Sequence, residues 1–453
     1  MKKSIAYLNA PVSIAPLAMF RLIFGFMMLL GIIRFAYKGW INDLYVKPVY
    51  YFTYYGFEWV KPLGETGMHM LFMIMALAAF GIMIGLFYRI SAITFFILFT
   101  YVELIDKTNY LNHYYFVSLV SFLLIFLPAH RFFSVDVMFN QSIKLDMVPR
   151  WMVGSIRLQL GIVYFFAGIA KINPDWLFEA QPLRIWLPAK AHLPFIGPVL
   201  DKVWLAYFFS WFGCIYDLTI PFFLLMKKTR IWAYMAVILF HVLTGLLFNI
   251  GMFPYIMILS TLVFFPSEWH EKWIRKIRKG ISMREMSFPK TIYPAKGKLM
   301  AGLFLLFFVV QILVPFRYVL YPGKLFWTEE GFRFSWRVML MEKGGTAVFT
   351  VGDPTFPGTI EINNRKYLTP VQEKMMSTQP DMILQFAHFL RDRYTGKSIT
   401  IRDTTFTFTE PIVKVKSYVS LNGSGSQPFI DPEVDLAKEE YNLKHRKWVL
   451  DFE

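Results

Sequence analysis

Apolar residues in this sequence come in long runs separated by short polar stretches, and the length of those runs decides the fold class. Between Pro16 and Tyr321 they are about 15 to 22 residues long, the length a helix needs to cross roughly 30 Å of hydrocarbon. They predict about nine spans, near 16–36, 69–88, 90–105, 114–128, 151–170, 203–225, 231–249, 252–266 and 299–320. The third and eighth are short, and the turn at 251–254 also suits a re-entrant segment. After Tyr321 the period changes. Residues 346–369 and 399–421 alternate in the manner of strands, with β-branched residues and turn signals. Between them, 371–392 carries Met375, Met382, Ile383, Phe386, Phe389 and Leu390 at helical spacing. The expected architecture is a polytopic all-α transmembrane bundle over 1–322, followed by a small, strand-rich α+β extramembrane domain over 323–453.

Composition agrees with that pattern. Apolar residues make up 56% of the chain and charged ones 17%, against roughly 25% charge in an ordinary soluble domain. The net charge of +16 would suit a nucleic-acid binder, but its location argues for a membrane. The densest basic stretch, from Lys272, Arg275, Lys276, Arg278 and Lys279 to Arg284, Lys290, Lys296 and Lys298, is a loop between two predicted spans. Such loops face the cytoplasm and its anionic leaflet, so membrane lipid is the expected partner and nucleic acid is not. With the N-terminus inside, the inside segments hold roughly twice as many Lys and Arg as the outside loops. Nine spans then put the C-terminal domain on the exterior face.

The single cysteine, Cys214, lies in an apolar run, so no disulfide, thiol relay or cysteine metal site can form within the chain. The first apolar run contains Arg21 and no small-residue cleavage site, and reads as a span rather than a signal peptide. No HExxH, paired CxxC or Gly-rich phosphate loop occurs, and no metal is expected.

Charges inside spans are costly and are functional candidates by default. Arg21, Arg157, Gln159, Asp217 and His241 fall inside the predicted spans, and Lys171 at the end of the fifth. The plainer reading makes Arg21, Arg157 and Asp217 buried ion pairs, with Asp217 satisfied by Arg157 or His241. By the same reading Lys171 is a snorkelling interface lysine, and His241 an interhelical hydrogen bonder. Two polar clusters border the spans, one from Asp106 to Asn109 with Asn112 and His113, the other at 130–136.

Several of these residues lie in stretches that carry a family likeness. They are 85–91 (GLFYRIS), 104–108 (LIDKT) with Asn112 and His113, 130–136 (HRFFSVD), and 162–168 (IVYFFAG) leading to Lys171, Asp175 and Trp176. Phe240 and His241, 250–253 (IGMF), Trp327, 334–336 (FSW) and 429–432 (FIDP) follow in order. In this collinear set the sequence resembles the vitamin K-dependent γ-glutamyl carboxylases and their bacterial relatives, the horizontally transferred transmembrane domain proteins. The resemblance implies a bacterial inner-membrane enzyme that uses vitamin K hydroquinone, or menaquinol, with O2 and CO2 as co-substrates and no metal. In the family's reaction a lysine matching Lys171 deprotonates the hydroquinone, which reacts with O2 to give an epoxide and a strong base. That base takes the γ-proton of a glutamate in a peptide or protein, and CO2 adds to the carbanion. The implied catalytic group is Lys171, with His130, His113 and His241 as further candidates. Asp106, Asn112, Arg157, Gln159, Asp175 and Asp217 are the expected cofactor-binding residues, and Arg333, Ser335, Trp336 and Arg337 the expected substrate-binding ones.

The sequence departs from the animal enzymes in places. They carry two adjacent lysines where this chain has Ala170 and Lys171, and an Asn-His pair where it has Ala129 and His130. Phe332 stands where they have tyrosine, and much of their C-terminal region is expected to have no counterpart here. Two other readings stay open at this point: a quinol epoxidase or oxidase without carboxylation, and a quinone- or lipid-binding membrane protein or transporter without chemistry.

Overall fold

A computed structural model describes every residue except Met1, Asn249, 281–292, 294–297, 402 and 403. The basic residues Arg284, Lys290 and Lys296 of the expected cytoplasmic loop therefore lie outside the described residues. Among the described residues, seven helices are long and apolar enough to cross a membrane. They are α1 (Ala15–Tyr37), α2 (Gly64–Ile84), α3 (Tyr88–Ile105), α5 (Arg150–Ala170), α6 (Val203–Leu225), α7 (Arg230–Leu247) and the stretch Leu299–Leu320. The other two predicted spans form shorter apolar helices, α4 (Asn112–Phe126) and α8 (Phe253–Phe264). Proline accounts for one end of each. Leu127, just before Pro128, is extended and stops α4, while Pro254 stands in the first turn of α8, where its missing N–H costs nothing.

Among the described residues, Arg21 and Arg157 form no ion pair, contrary to expectation. Arg21, 0% exposed in α1, gives Nη1 to Ile82 O and Met83 O at 2.6 Å each. Its Nη2 goes to Phe133 O at 2.6 Å and its Nε to Ala129 O at 3.2 Å. Arg157 likewise gives Nε to Val263 O at 2.9 Å and Nη2 to Phe265 O at 3.3 Å, at the end of α8. The last carbonyls of a helix lack intrahelical partners and carry the negative end of its dipole. They satisfy a guanidinium without burying a second charge.

A helix of alternating faces, α9 (Ser267–Gly280), packs His270 and Ile274 inward and leaves Lys272, Arg275, Lys276 and Lys279 exposed. The last membrane helix is α10 (Lys298–Leu313), continued by a 3₁₀ segment to Leu320.

The C-terminal part is built on a four-stranded antiparallel sheet. Its strands are β1 (Lys343–Gly352), β2 (Thr359–Glu361), β3 (Ile412–Leu421) and β4 (Gln427–Pro428), in the order β2-β1-β3-β4. Phe349 and Val351 pair with Val415 and Val413, and these residues are buried while Lys414 and Lys416 point away, the period-2 pattern of a half-buried sheet. Ile383, Phe386, Ala387 and Leu390 complete that core. The single helix expected over 371–392 is two, α11 (Pro370–Met376) and α12 (Pro380–Tyr394). Gln379 precedes proline and is pushed out of the helical region, to φ −119° and ψ 112°.

This part rests on one end of the bundle through buried polar struts. Lys107 Nζ lies 2.6 Å from Asp381 Oδ2, and Gln372 Nε2 donates to Asp106 Oδ2 at 2.9 Å. Asp175 accepts from Asn422 Nδ2 at 2.8 Å and pairs with Lys324 at 3.2 Å. Asp106 and Asp175, expected around a cofactor, are thereby taken up by the junction.

Candidate active site

The site begins with a close approach of two helices. A Cβ on Gly168 of α5 would stand 2.8 Å from the backbone nitrogen of Leu218, so only glycine lets α5 and α6 meet here. One turn on, at the end of α5, Lys171 Nζ lies 2.7 Å from Asp217 Oδ2 and 3.3 Å from Ala167 O. The pair is 6% and 5% exposed. Asp217, expected to pair with Arg157 or His241, has Lys171 as its partner. Asn173 caps the short helix Pro174–Leu177 and turns the chain back over the pair. Trp176 then donates Nε1 to Ser210 O at 2.8 Å and sets its ring 5.4 Å from Lys171 Nζ. Because Asp217 is near the middle of α6, Lys171 stands well inside the bundle and is no snorkelling residue.

Lys171 and Asp217 form one polar pole of a cavity of about 270 Å³. The other is Tyr164, whose hydroxyl is 3.0 Å from His241 Nε2. Between the poles the lining is apolar, including Val163, Ala167, Phe240 and Met257. Phe208, Phe212 and Leu239 also line the cavity and are 54%, 40% and 59% exposed, so it opens between α6 and α7 where lipid tails would lie.

A second, larger cavity of about 810 Å³ adjoins the first. Phe248, Ile250, Phe253, Val338 and Met339 line both and form the partition. Its walls carry Lys107, Asn112, His113, Arg333, Arg337 and Gln379, giving a cationic cleft between the bundle and the C-terminal part. One side is a strained segment. Glu329, Phe334, Trp336 and Met339 hold φ values of 56°, 61°, 58° and 53°, a region that non-glycine residues enter only when their surroundings force it. Here the forcing contacts are visible. Phe334 N donates to Tyr110 Oη at 2.8 Å, Asn112 Nδ2 to Arg337 O at 3.0 Å, and Arg317 Nη2 to Arg333 O. Trp336, 1% exposed, packs on Tyr115, and Ser335 Oγ donates to Gly331 O at 2.7 Å.

The two arginines of this segment differ. Arg333 is fully engaged, reaching Asp381 Oδ2 at 2.8 Å and Oδ1 at 3.3 Å, with Gln379 Oε1 on the same guanidinium. Burial would raise the Asp381 carboxyl, but Arg333 and then Lys107 outweigh it and hold the group well below the usual carboxylate range. Burial pushes Lys107 down to about 8 against the pull of Asp381. Arg337 is 8% exposed, stacks over Tyr318 at 4.5 Å, and its Nε has no partner among the described residues.

The remaining expected site residues are dispersed. His113 and Asn112 line the cleft, while His130 stacks on Tyr88 at 4.8 Å beside the Arg21 carbonyls and lines neither cavity. Gln159 is buried in α5 with its amide unpartnered among the described residues, also away from both cavities. Tyr164 and Asp381 are residues the sequence did not single out as site candidates, and Lys107 stood out only as a member of the polar cluster at 106–109. Tyr164 left a signal of its own, seven positions before Lys171 and therefore on the same helical face.

Family models match in two blocks. The HTTM domain covers residues 9–269, and the vitamin K-dependent gamma-carboxylase lumenal domain covers residues 296–453. No solved structure matches the chain. The apolar helices and the HTTM match together mark a membrane protein. Since the first model alone spans more than half of the sequence and the second carries the match through the sheet to Glu453, the chain belongs to the vitamin K-dependent gamma-glutamyl carboxylase family.

Proposed function

We propose that this protein carboxylates glutamate residues of a peptide or protein at the expense of a vitamin K-type quinol, with Lys171 as the initiating base. The observation that carries this reading is the pair of adjoining cavities. One is apolar, open toward lipid and holds a buried lysine–carboxylate pair; the other is cationic, and a single layer of side chains divides them. The quinol, on oxidation by O2, supplies both the driving force and the strong base that removal of a glutamate γ-proton demands.

The chain's own residues do the rest. Lys171 Nζ passes its proton along the 2.7 Å contact to Asp217 Oδ2, becoming a free amine, and then takes a proton from a hydroxyl presented in the cavity. The ammonium so formed faces the new oxyanion while Asp217 is neutral, so no isolated charge is left in the apolar site. The lining keeps water from quenching a strong base. Across the partition, Arg337, whose guanidinium leans on Tyr318 but pairs with no carboxylate among the described residues, takes the substrate carboxylate. Arg333, spent on Asp381 and Gln379, shapes the strained segment that presents Arg337. With the N-terminus inside, the cleft and the C-terminal part face the exterior.

Purified protein given reduced vitamin K, labelled bicarbonate and a glutamate peptide should yield both epoxide and acid-stable label. Epoxide without label would replace this reading by a quinol epoxidase, and neither product by a binding protein.

A further inference from the structure

Tyr164 and His241 remain outside the steps described so far. Both are buried, at 2% and 1% exposure, and they join Tyr164 Oη to His241 Nε2 at 3.0 Å. His241 Nδ1 is buried and has no partner among the described residues. An unsatisfied polar atom costs stability, and since the His241 ring lines the cavity, a small turn of that ring lets a bound group supply the missing contact. At the other pole Lys171 and Asp217 already satisfy one another and await only a proton donor.

We propose that Tyr164 and His241 are positioning residues that hold the far oxygen of an aromatic ring oxygenated at both ends, whose near oxygen faces Lys171 and Asp217. This deepens the quinol reading and rests on it. Tyr164 and Lys171 stand two turns apart on one face of α5, about 10 Å along the helix. That spacing suits one ring with a hydrogen bond at each end. A ligand with a single polar end would leave one pole unmet, because the other polar side chains of the lining are already engaged: Thr244 gives its hydroxyl to Phe240 O, and Trp176 and Trp186 give their indole N–H to Ser210 O and Glu342.

The pair also suits both redox forms of such a ring. A hydroquinone hydroxyl donates to Nδ1 when the imidazole proton is on Nε2 and points at Tyr164 Oη. A quinone carbonyl accepts from Nδ1–H when Tyr164 donates to Nε2. The two arrangements differ by the tautomer of one neutral imidazole, with the 3.0 Å hydrogen bond running in opposite directions, so either ring is met without adding charge.

The test is equilibrium binding in detergent, read by tryptophan quenching, since Trp176 and Trp186 line the cavity. The probes are a short-chain prenylated 1,4-naphthoquinone and the same prenylated naphthalene bearing one hydroxyl. Wild-type protein should bind the dioxygenated ring about tenfold more tightly, the value of one satisfied polar contact. Tyr164→Phe and His241→Phe should each lose about that factor for the dioxygenated ring only, and together no more than either alone. Thermal melting checks that the variants fold, and the two-probe comparison on wild type needs no variant. Equal wild-type affinity for both probes, or variants that weaken both alike, would overturn the second pole. If wild-type protein still binds the quinone and Lys171→Ala still makes no epoxide in that case, the quinol reading stands without it. A wild-type protein that binds neither probe would overturn both.

Discussion

Lys171 and Arg21 are both cations buried inside the helical bundle, 6% and 0% exposed, and they are satisfied in opposite ways. Arg21 spends its guanidinium on four backbone carbonyls contributed by helix ends and the turn after α4. Lys171 has one carboxylate and one carbonyl, and a cavity beside it. Burial is thus a poor guide to function by itself. What separates a reactive cation from a structural one is whether its partner can take a proton and whether there is room for a third party. Carbonyls cannot take one; Asp217 can. Arg157, bound to the carbonyls that end α8, falls on the structural side with Arg21.

This contrast is open to attack from both sides. The largest effect should come from Asp217→Asn, which removes the proton acceptor from Lys171. Turnover per folded molecule should fall by roughly 10²–10⁴-fold, the usual worth of positioned acid–base groups, over and above the stability lost with the buried partner of Lys171. Arg21→Met should do the reverse. Several kcal/mol of stability should be lost, because four carbonyls at about 1–3 kcal/mol each lose their donor. Activity per folded molecule should hold. A folded, inactive Arg21→Met protein would erase the distinction between the two cations.

Smaller effects sharpen the picture in the cleft. Arg337→Gln should raise the KM for a glutamate peptide by about ten- to a hundredfold, as expected for one charge-assisted contact, and leave kcat nearly unchanged. Asp381 gives a pH signature. Its carboxyl is held below its ordinary value in the folded protein, so its contribution is complete above about pH 4 and is lost as the pH falls further. Acid scans of Asp381→Asn should therefore lack part of the decline in melting temperature that wild type shows below pH 4. The smallest change, Gly168→Ala, should cost about 1–3 kcal/mol by overpacking against Leu218 and lower activity by loosening Lys171 from Asp217.

How much of this the sequence discloses depends on the range of the interaction. Run length located the seven long apolar helices, and the β-branched period located the sheet, because each is set by neighbours a few residues apart. The break at Gln379 is also visible, as a pre-proline position, but the apolar period of 371–392 runs straight across it. The depth of Lys171 is not local. Asn173 and Pro174 announce a turn beside Lys171, but where the chain returns is fixed by Trp176 meeting Ser210, 34 positions further on. For the same reason Asp217 and Lys171 each stood out while their pairing did not. Arg333 and Arg337 look alike in sequence. They part company only when α12 brings Asp381 to one of them.

The most direct measurement is product formation by Lys171→Ala with small amines added. The variant protein should bind quinone yet make neither epoxide nor carboxylated peptide, because both products lie beyond one proton transfer. Amines that fit the vacated space should restore the two products together, in the wild-type ratio, with efficiency depending on amine basicity. Epoxide formed by Lys171→Ala at the wild-type rate, without any amine, would contradict the account.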